Sequence, residues 1–180
     1  MRVYWIHGWV HSKNGIALRR DLLILNGMKL WVKMVICVLV MNALGGAGAF
    51  LTSGAIENWY ETLKKPPGVP PNWVFGPVWT VLYAMIGISF ALFWHRVPSG
   101  PAKQSGLVWF FVQLVLNLAW TPLFFGAHQI GVALIVIAVL LGTIIVTVVL
   151  FRKQDRLAGR VLIPYGIWVG YATYLNAGYW

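Results

Sequence analysis

The chain has 180 residues, 59% of them hydrophobic and 10% charged, with a formal net charge of +10 and a mean hydropathy of +0.74. Soluble domains run at about 45–50% apolar and about 25% charged, so the composition excludes an ordinary globular domain or a disordered chain and describes a polytopic membrane protein. The single cysteine, Cys37, excludes a disulfide scaffold, and four acidic side chains (Asp21, Glu57, Glu61, Asp155) leave little for carboxylate catalysis or a hard-metal site.

Residues 1–27 form an N-terminal extension that fits no standard targeting pattern, and Met28 is a plausible alternative start. His7 and His11 stand at helical i,i+4 spacing, but a pair with no third ligand does not make a metal site. The remainder, residues 28–180, is one domain. Five apolar stretches follow: Leu30 to Ser53, Val74 to Trp94, Ser105 to Phe125, Ile130 to Phe151 and Val161 to Trp180. Each holds ~20 residues, which as helix matches a ~30 Å hydrocarbon core. None alternates in the manner of a barrel strand. The predicted fold is all-α, an integral membrane bundle of five transmembrane helices.

The connections differ in kind. The first, residues 54–73, is long and carries Pro66-Pro67-Gly68-Val69-Pro70-Pro71, a stiff segment of polyproline character. Pro98, Gly100 and Pro101 break the chain between the second and third spans. Gly126-Ala127-His128-Gln129 is so short that the third and fourth spans must be antiparallel neighbours. A charged turn, Arg152 to Arg156, precedes the last span. With five spans, twelve of the fourteen lysines and arginines fall on the N-terminal side, against Lys64 and Lys65 on the other. This bias predicts a cytoplasmic N-terminus and an outside first loop and C-terminus, and fits a bacterial plasma membrane. The positive charge is thereby a topology signal and an attraction to anionic lipid, with no need of a nucleic-acid partner.

No Asp, Glu, Lys or Arg lies deep in any span, so the proton- or ion-coupled pump is disfavoured. Amides and aromatics occupy the interior instead. Gln113, Asn117 and Trp120 share one face of the third span; Trp79, Tyr83, Ile86 and Gly87 share one of the second; Trp168, Ala172, Leu175 and Asn176 share one of the fifth. Helical rise puts Trp79 and Trp120 ~8 Å, Asn117 ~12 Å and Asn176 ~6 Å below the outer surface, with Trp168 near mid-bilayer. These groups gather in the outer half beneath the proline-rich loop. An uncharged, aromatic-walled cavity with a few amides there suits a large, flat, mainly apolar ligand. Taken singly, Asn117 is more simply interhelical glue, whereas the Trp168 indole needs a partner lipid cannot supply and should face the interior. Trp31, Trp73, Trp94, Trp109 and Trp180 read as interfacial anchors. Gly45 with Ala49, and Gly166 with Gly170, mark close helix approaches, the latter pair ~160° around from Trp168. The fourth span reads as a lipid-facing wall.

Trp59-Tyr60-Glu61-Thr62-Leu63-Lys64-Lys65-Pro66, followed by the run from Pro70 through Asn72-Trp73-Val74-Phe75-Gly76-Pro77-Val78-Trp79 to Tyr83, resembles the first-loop and second-helix signature of the translocator protein family, also called tryptophan-rich sensory proteins and peripheral benzodiazepine receptors. Gln113 to Trp120, Phe124-Phe125-Gly126, and Pro164-Tyr165 with Trp168, Ala172, Leu175 and Asn176 match it in order and spacing, so the resemblance spans Met28 to Trp180. It implies a five-helix bundle, a homodimer, and a pocket under the first loop that binds porphyrins (protoporphyrin IX or haem). Trp79, Tyr83, Asn117, Trp120, Trp168 and Ala172 carry over as pocket residues. Two departures are evident. Many relatives have a tryptophan where this chain reads Pro67-Gly68-Val69. The cholesterol motif of animal members ends in a basic residue, and here the chain reads Tyr179-Trp180, so sterol binding has no sequence support.

The leading expectation is a membrane receptor or transporter of tetrapyrroles with a role in tetrapyrrole or stress regulation. The alternatives are light-dependent porphyrin degradation, in which Trp79 and Trp168 would act as relays, and a structural protein that contacts other membrane proteins. No acid, base, nucleophile or metal cluster supports a conventional enzyme.

Overall fold

Inside a bilayer every backbone N–H and C=O must be satisfied within the protein, and this chain meets that demand with helices alone among the described residues. The computed structural model describes residues 27–180; the His7–His11 pair and the extension through residue 26 lie outside them. In chain order the helices are α1 (Leu30–Asn58), a 3-10 turn (Tyr60–Thr62), α2 (Asn72–Arg96), α3 (Pro101–Thr121) continuing into a π-helical turn (Pro122–Gly126), α4 (Ile130–Gln154), the short α5 (Arg156–Val161) and α6 (Ile163–Tyr179). Within α1 the stretch Leu30–Phe50, and the whole of α2, α3 with its π-turn, and α4, are long and apolar enough to cross a membrane. No more than 39% of any of these windows is buried inside the bundle. The rest, including Leu39, Val81, Val115 and Ile135, is largely exposed apolar surface that only lipid can cover at low cost. The protein is an integral membrane bundle.

Helix α1 packs on α2, α2 on α5 and α6, α6 on α4, α4 on α3, and α3 with its π-turn returns to α1. The ring is closed. Its core divides into two levels. At the basic end Phe93 and Phe151 stack face to face with centroids 3.7 Å apart, Phe110 lies 5.9 Å from Phe151 and Phe90 4.7 Å from Phe110, which fills the space between α2, α3 and α4. Toward the loop the interior changes to tyrosine, tryptophan and amides.

Close approaches are made by missing side chains. A Cβ on Gly87 would stand 2.7 Å from the Cys37 carbonyl and the Val38 nitrogen, so α1 and α2 touch backbone to backbone there; one on Gly45 would meet the Tyr83 ring at 2.0 Å. The Gly166/Gly170 pair faces Ile144 and Leu141 of α4, so this motif joins two helices of one chain.

Several boundaries differ from the sequence reading. Helix α1 runs past Ser53 to Asn58, because Gly54 alone does not stop a helix in which no proline appears before Pro66. The loop proper is residues 63–71. The charged turn before the last span shrinks to Asp155, whose carboxylate accepts the Ala158 N–H at 2.8 Å and starts α5. The last apolar stretch is interrupted at Leu162, leaving α6 with 17 residues. The fourth span is a wall with an inner face: Ala133, Ile137, Leu140, Thr143, Ile144, Thr147 and Phe151 are buried, and the two threonines return their hydroxyls to the Leu140 and Thr143 carbonyls.

Replacing Gly87 with Ala should force α1 from α2 and cost about 1–3 kcal/mol, whereas Gly142→Ala, with open space around it, should be neutral or slightly stabilising. Detergent-solubilised thermal unfolding of the two variants checks this; equal melting curves would refute the contact.

Candidate ligand-binding site

Three helices deliver the polar and aromatic groups. On α3, Gln113, Asn117 and Trp120 are spaced by 4 and 3 residues and point inward, with Gln113 and Asn117 buried. Each reaches a different partner. The Tyr83 hydroxyl of α2 donates to Asn117 Oδ1 at 2.6 Å. The Tyr165 hydroxyl of α6 donates to Gln113 Oε1 at 2.9 Å. Trp120 Nε1 donates to Asn176 Oδ1 of α6 at 3.0 Å, and Asn176 Nδ2 in turn donates to the Ile130 carbonyl at the start of α4 at 3.1 Å. One helix face thus ties α2, α6 and, through Asn176, α4.

Aromatic rings fill the space between these bonds. Trp79 sits 5.6 Å from Tyr83 and 6.5 Å from Tyr165. Trp168 is half-buried, edge-on to Phe75 at 6.1 Å and 5.5 Å from Tyr171. Trp120 stacks on Phe124 at 5.3 Å. Ala172 and Leu175 are buried beside them. Two buried donors, Gln113 Nε2 and Trp168 Nε1, have no hydrogen-bond partner among the described residues. All nine residues singled out by sequence therefore lie in this half of the bundle. The hollow anticipated among them is nearly closed, however. A void of about 30 Å³, with Phe75, Trp120, Phe124, Ala172, Leu175 and Asn176 among its lining residues, has room for about one water.

The loop closes the site from above. Tyr171 Oη donates to the Gly68 carbonyl, Tyr174 Oη donates to the Pro67 carbonyl at 3.2 Å, and Pro66 lies against Gly178, where a Cβ would meet it at 2.5 Å. Gly68 adopts φ +87°, a conformation open to glycine and strained for other side chains. Tyr179 donates to the Tyr60 hydroxyl at 2.6 Å, and Trp59 stacks on His128 at 4.1 Å. At the loop's other end Glu61 accepts from Lys65 at 2.8 Å and from Asn72. These hydrogen bonds, Lys65 first, hold the Glu61 carboxyl below its ordinary value of 4.5.

Sequence reasoning left Tyr165, Phe75, Tyr171 and Tyr174 out of the site. Tyr165 was accessible to it: it precedes Trp168 by three residues and Ala172 by seven, on the same face. The loop tyrosines carried no such signal, because their partners are backbone carbonyls a hundred residues away in the chain.

Exchanging Asn176 for Leu should leave the Trp120 N–H unpaired, remove the bond to the Ile130 carbonyl and cost about 1–2 kcal/mol in a detergent-unfolding titration; an unaltered midpoint would show that the hub contributes nothing. The Glu61 clamp is present above the unfolded carboxyl's titration and is lost as pH falls through the lower, folded one. Protection of the loop amides against hydrogen exchange should accordingly fall as pH drops below the ordinary carboxylate range, and Glu61→Gln should remove that pH dependence.

The TspO/MBR family model matches residues 37–180. Protein CrtK of Rhodobacter capsulatus is 39% identical over 136 residues, covering 76% of this chain and 83% of the relative. Tryptophan-rich protein TspO of Archaeoglobus fulgidus is 37% identical over 145 residues, 81% of this chain and 93% of the relative. The human translocator protein is 37% identical over 134 residues, 74% and 79% of the two chains. On this match, with the inward stripes of α2, α3 and α6 in place, the chain belongs to the TspO/MBR family.

Proposed function

We propose that this membrane protein is a receptor or transporter for tetrapyrroles, taking protoporphyrin IX or haem between α2, α3 and α6 beneath the proline-rich loop. The observation that carries the reading is the pair of buried, unpartnered donors, Gln113 Nε2 and Trp168 Nε1, in the half of the bundle where the rings of Phe75, Trp79 and Trp120 also gather. Burying a polar group without a partner is unfavourable, and a flat ligand with acceptors at its edge would relieve both while stacking on the indoles. The tyrosine hydroxyls that reach α3, Tyr83 and Tyr165, are committed to amides, so recognition rests on ring faces and edge hydrogen bonds more than on iron ligation.

Entry requires movement. A void of about 30 Å³ does not admit a macrocycle, and the elements free to yield are the loop, held by Tyr171 and Tyr174, and the half-buried Trp168. The ligand would bind by selecting an opened form, and its apparent affinity would be lowered by the fraction of chains in that form. Helix α6, extended by α5 across the Leu162 break, serves as the fifth span; the cluster of basic residues lies at the cytoplasmic face of a bacterial plasma membrane and the loop lies outside. A homodimer is part of the same reading, since Trp31, Val35 and Leu39 give α1 an exposed apolar stripe available to a second copy.

Protoporphyrin IX titrated into the purified protein should quench tryptophan fluorescence saturably, and Trp79→Phe with Trp168→Phe should weaken affinity at least about ten-fold. Undiminished affinity in the double variant would remove these indoles from the site, and no saturable quenching in the wild type would end the tetrapyrrole reading.

A further inference from the structure

The basic end of the bundle holds a second feature, unconnected with the ligand site. Lys33 lies in the first turn of α1 and is only 7% exposed, yet its ammonium makes no hydrogen bond or ion pair with any described residue. Its neighbours offer no relief. Lys103 lies near enough to Lys33 for the two like charges to interact, and its own Nζ is spent on the α2 terminus, donating to the Trp94 carbonyl at 2.6 Å and the Val97 carbonyl at 2.9 Å. Asp155, the described acid at this end, pairs with Arg96 at 3.3 Å and caps α5. Lys33 is buried at a basic end of the bundle, with no described acid paired to it.

Beside it is a void of about 50 Å³ lined by Met28, Lys33, Ile36, Cys37 and Trp94. Apart from the lysine the lining is apolar. Lys33, Ile36, Cys37, Val40 and Leu44 fall on one face of α1 at helical spacing, and Ile36, Val40 and Leu44 are exposed. From Lys33 to Leu44 is eleven residues, ~16 Å of helix, close to half of a ~30 Å hydrocarbon core. The pattern is that of an amphiphile's track: a cation at the headgroup level and one leaflet's depth of apolar side chain below it.

We infer that this groove is a binding site for an anionic phospholipid, its headgroup phosphate on the Lys33 ammonium and one acyl chain laid along Ile36, Cys37, Val40 and Leu44. Charge complementarity selects the anionic headgroup, because a zwitterionic lipid would bring a further cation to a place that already has two. The apolar track selects a lipid over a free anion, which would leave the void and the exposed stripe uncovered. The site fastens the least buried helix of the bundle to the lipid around it.

Cys37 is the one cysteine of the chain and lines the groove, so its alkylation reports occupancy directly. In detergent, a small neutral maleimide should react with Cys37 at least about five-fold more slowly when phosphatidylglycerol is added, and at an unchanged rate with phosphatidylcholine. Lys33→Gln should abolish the difference between the two lipids, and Lys29→Gln, one turn earlier and exposed, should preserve it. Equal protection by both lipids, or loss of the difference in Lys29→Gln as in Lys33→Gln, would overturn the proposal in favour of a diffuse basic surface. Protection by millimolar inorganic phosphate alone would overturn it in favour of a free-anion site. Should Lys33→Gln fail to fold, the two-lipid comparison on the wild type and Lys29→Gln still decides.

Discussion

A polar side chain within a bilayer has no water to fall back on, and in this bundle the inward face of α3 settles that demand for most of the interior. Gln113, Asn117 and Trp120 each form a hydrogen bond with a different residue, and the partners stand on α2 and α6. Interhelical bonds of this kind contribute only about 0.6–2 kcal/mol apiece in membranes. Their effect here is chiefly geometric. A five-helix ring of aliphatic side chains in lipid has little to fix the rotation of each helix, since lipid tails are as apolar as leucine. Three bonds radiating from one face set the rotation of α2 and α6 against α3, and the Asn176 contact with Ile130 extends the same constraint to the start of α4.

The two levels of the core divide the labour. Stacked phenylalanines at the basic end, with Phe93 and Phe151 at 3.7 Å, give a tightly packed centre, and the buried Ser89 hydroxyl beside it is paired with the Ala158 carbonyl. The level above is built from groups that exchange partners at low cost: a phenol on an amide, an indole on an amide, rings in edge contacts. Gln113 Nε2 and Trp168 Nε1 are left over. Binding at this level while the base stays rigid is the arrangement expected of a site that must rearrange without the fold coming apart.

Much of this was legible from residue spacing. The stripes Gln113-Asn117-Trp120 and Trp168-Ala172-Leu175-Asn176 have helical period and uncommon chemistry for a membrane interior, and the only burial site for such groups is inward. Tyr83 followed by the same logic. What spacing did not convey was pairing. That Tyr83 meets Asn117 while Tyr165 meets Gln113 depends on helix order around the ring, and the ring order α1, α2, α6, α4, α3 is set by close contacts such as Gly87 against Cys37 that involve no side chain. Helix ends were the other gap. Gly54 and Leu162 are both ordinary residues within apolar runs; the chain continues through the first and breaks at the second, where Pro164 enters the first turn of α6 and α5 folds back on α4. The volume between the side chains was also beyond reach of a face-by-face reading, which shows what points inward and nothing of how tightly it closes.

The loop is held by tyrosine hydroxyls that bond to the carbonyls of Pro67 and Gly68, and the third point of attachment is a proline ring on a glycine. Only the last of these anchors reads the identity of a loop side chain. The two tyrosine anchors are written in the helix, and the segment they grip contributes main chain and the bend at Gly68. A substitution at Val69 can therefore leave the closure intact, since the tyrosine anchors grip the carbonyls of Pro67 and Gly68. The closure depends on Tyr171, Tyr174 and Gly178, a hundred residues downstream of the segment they hold.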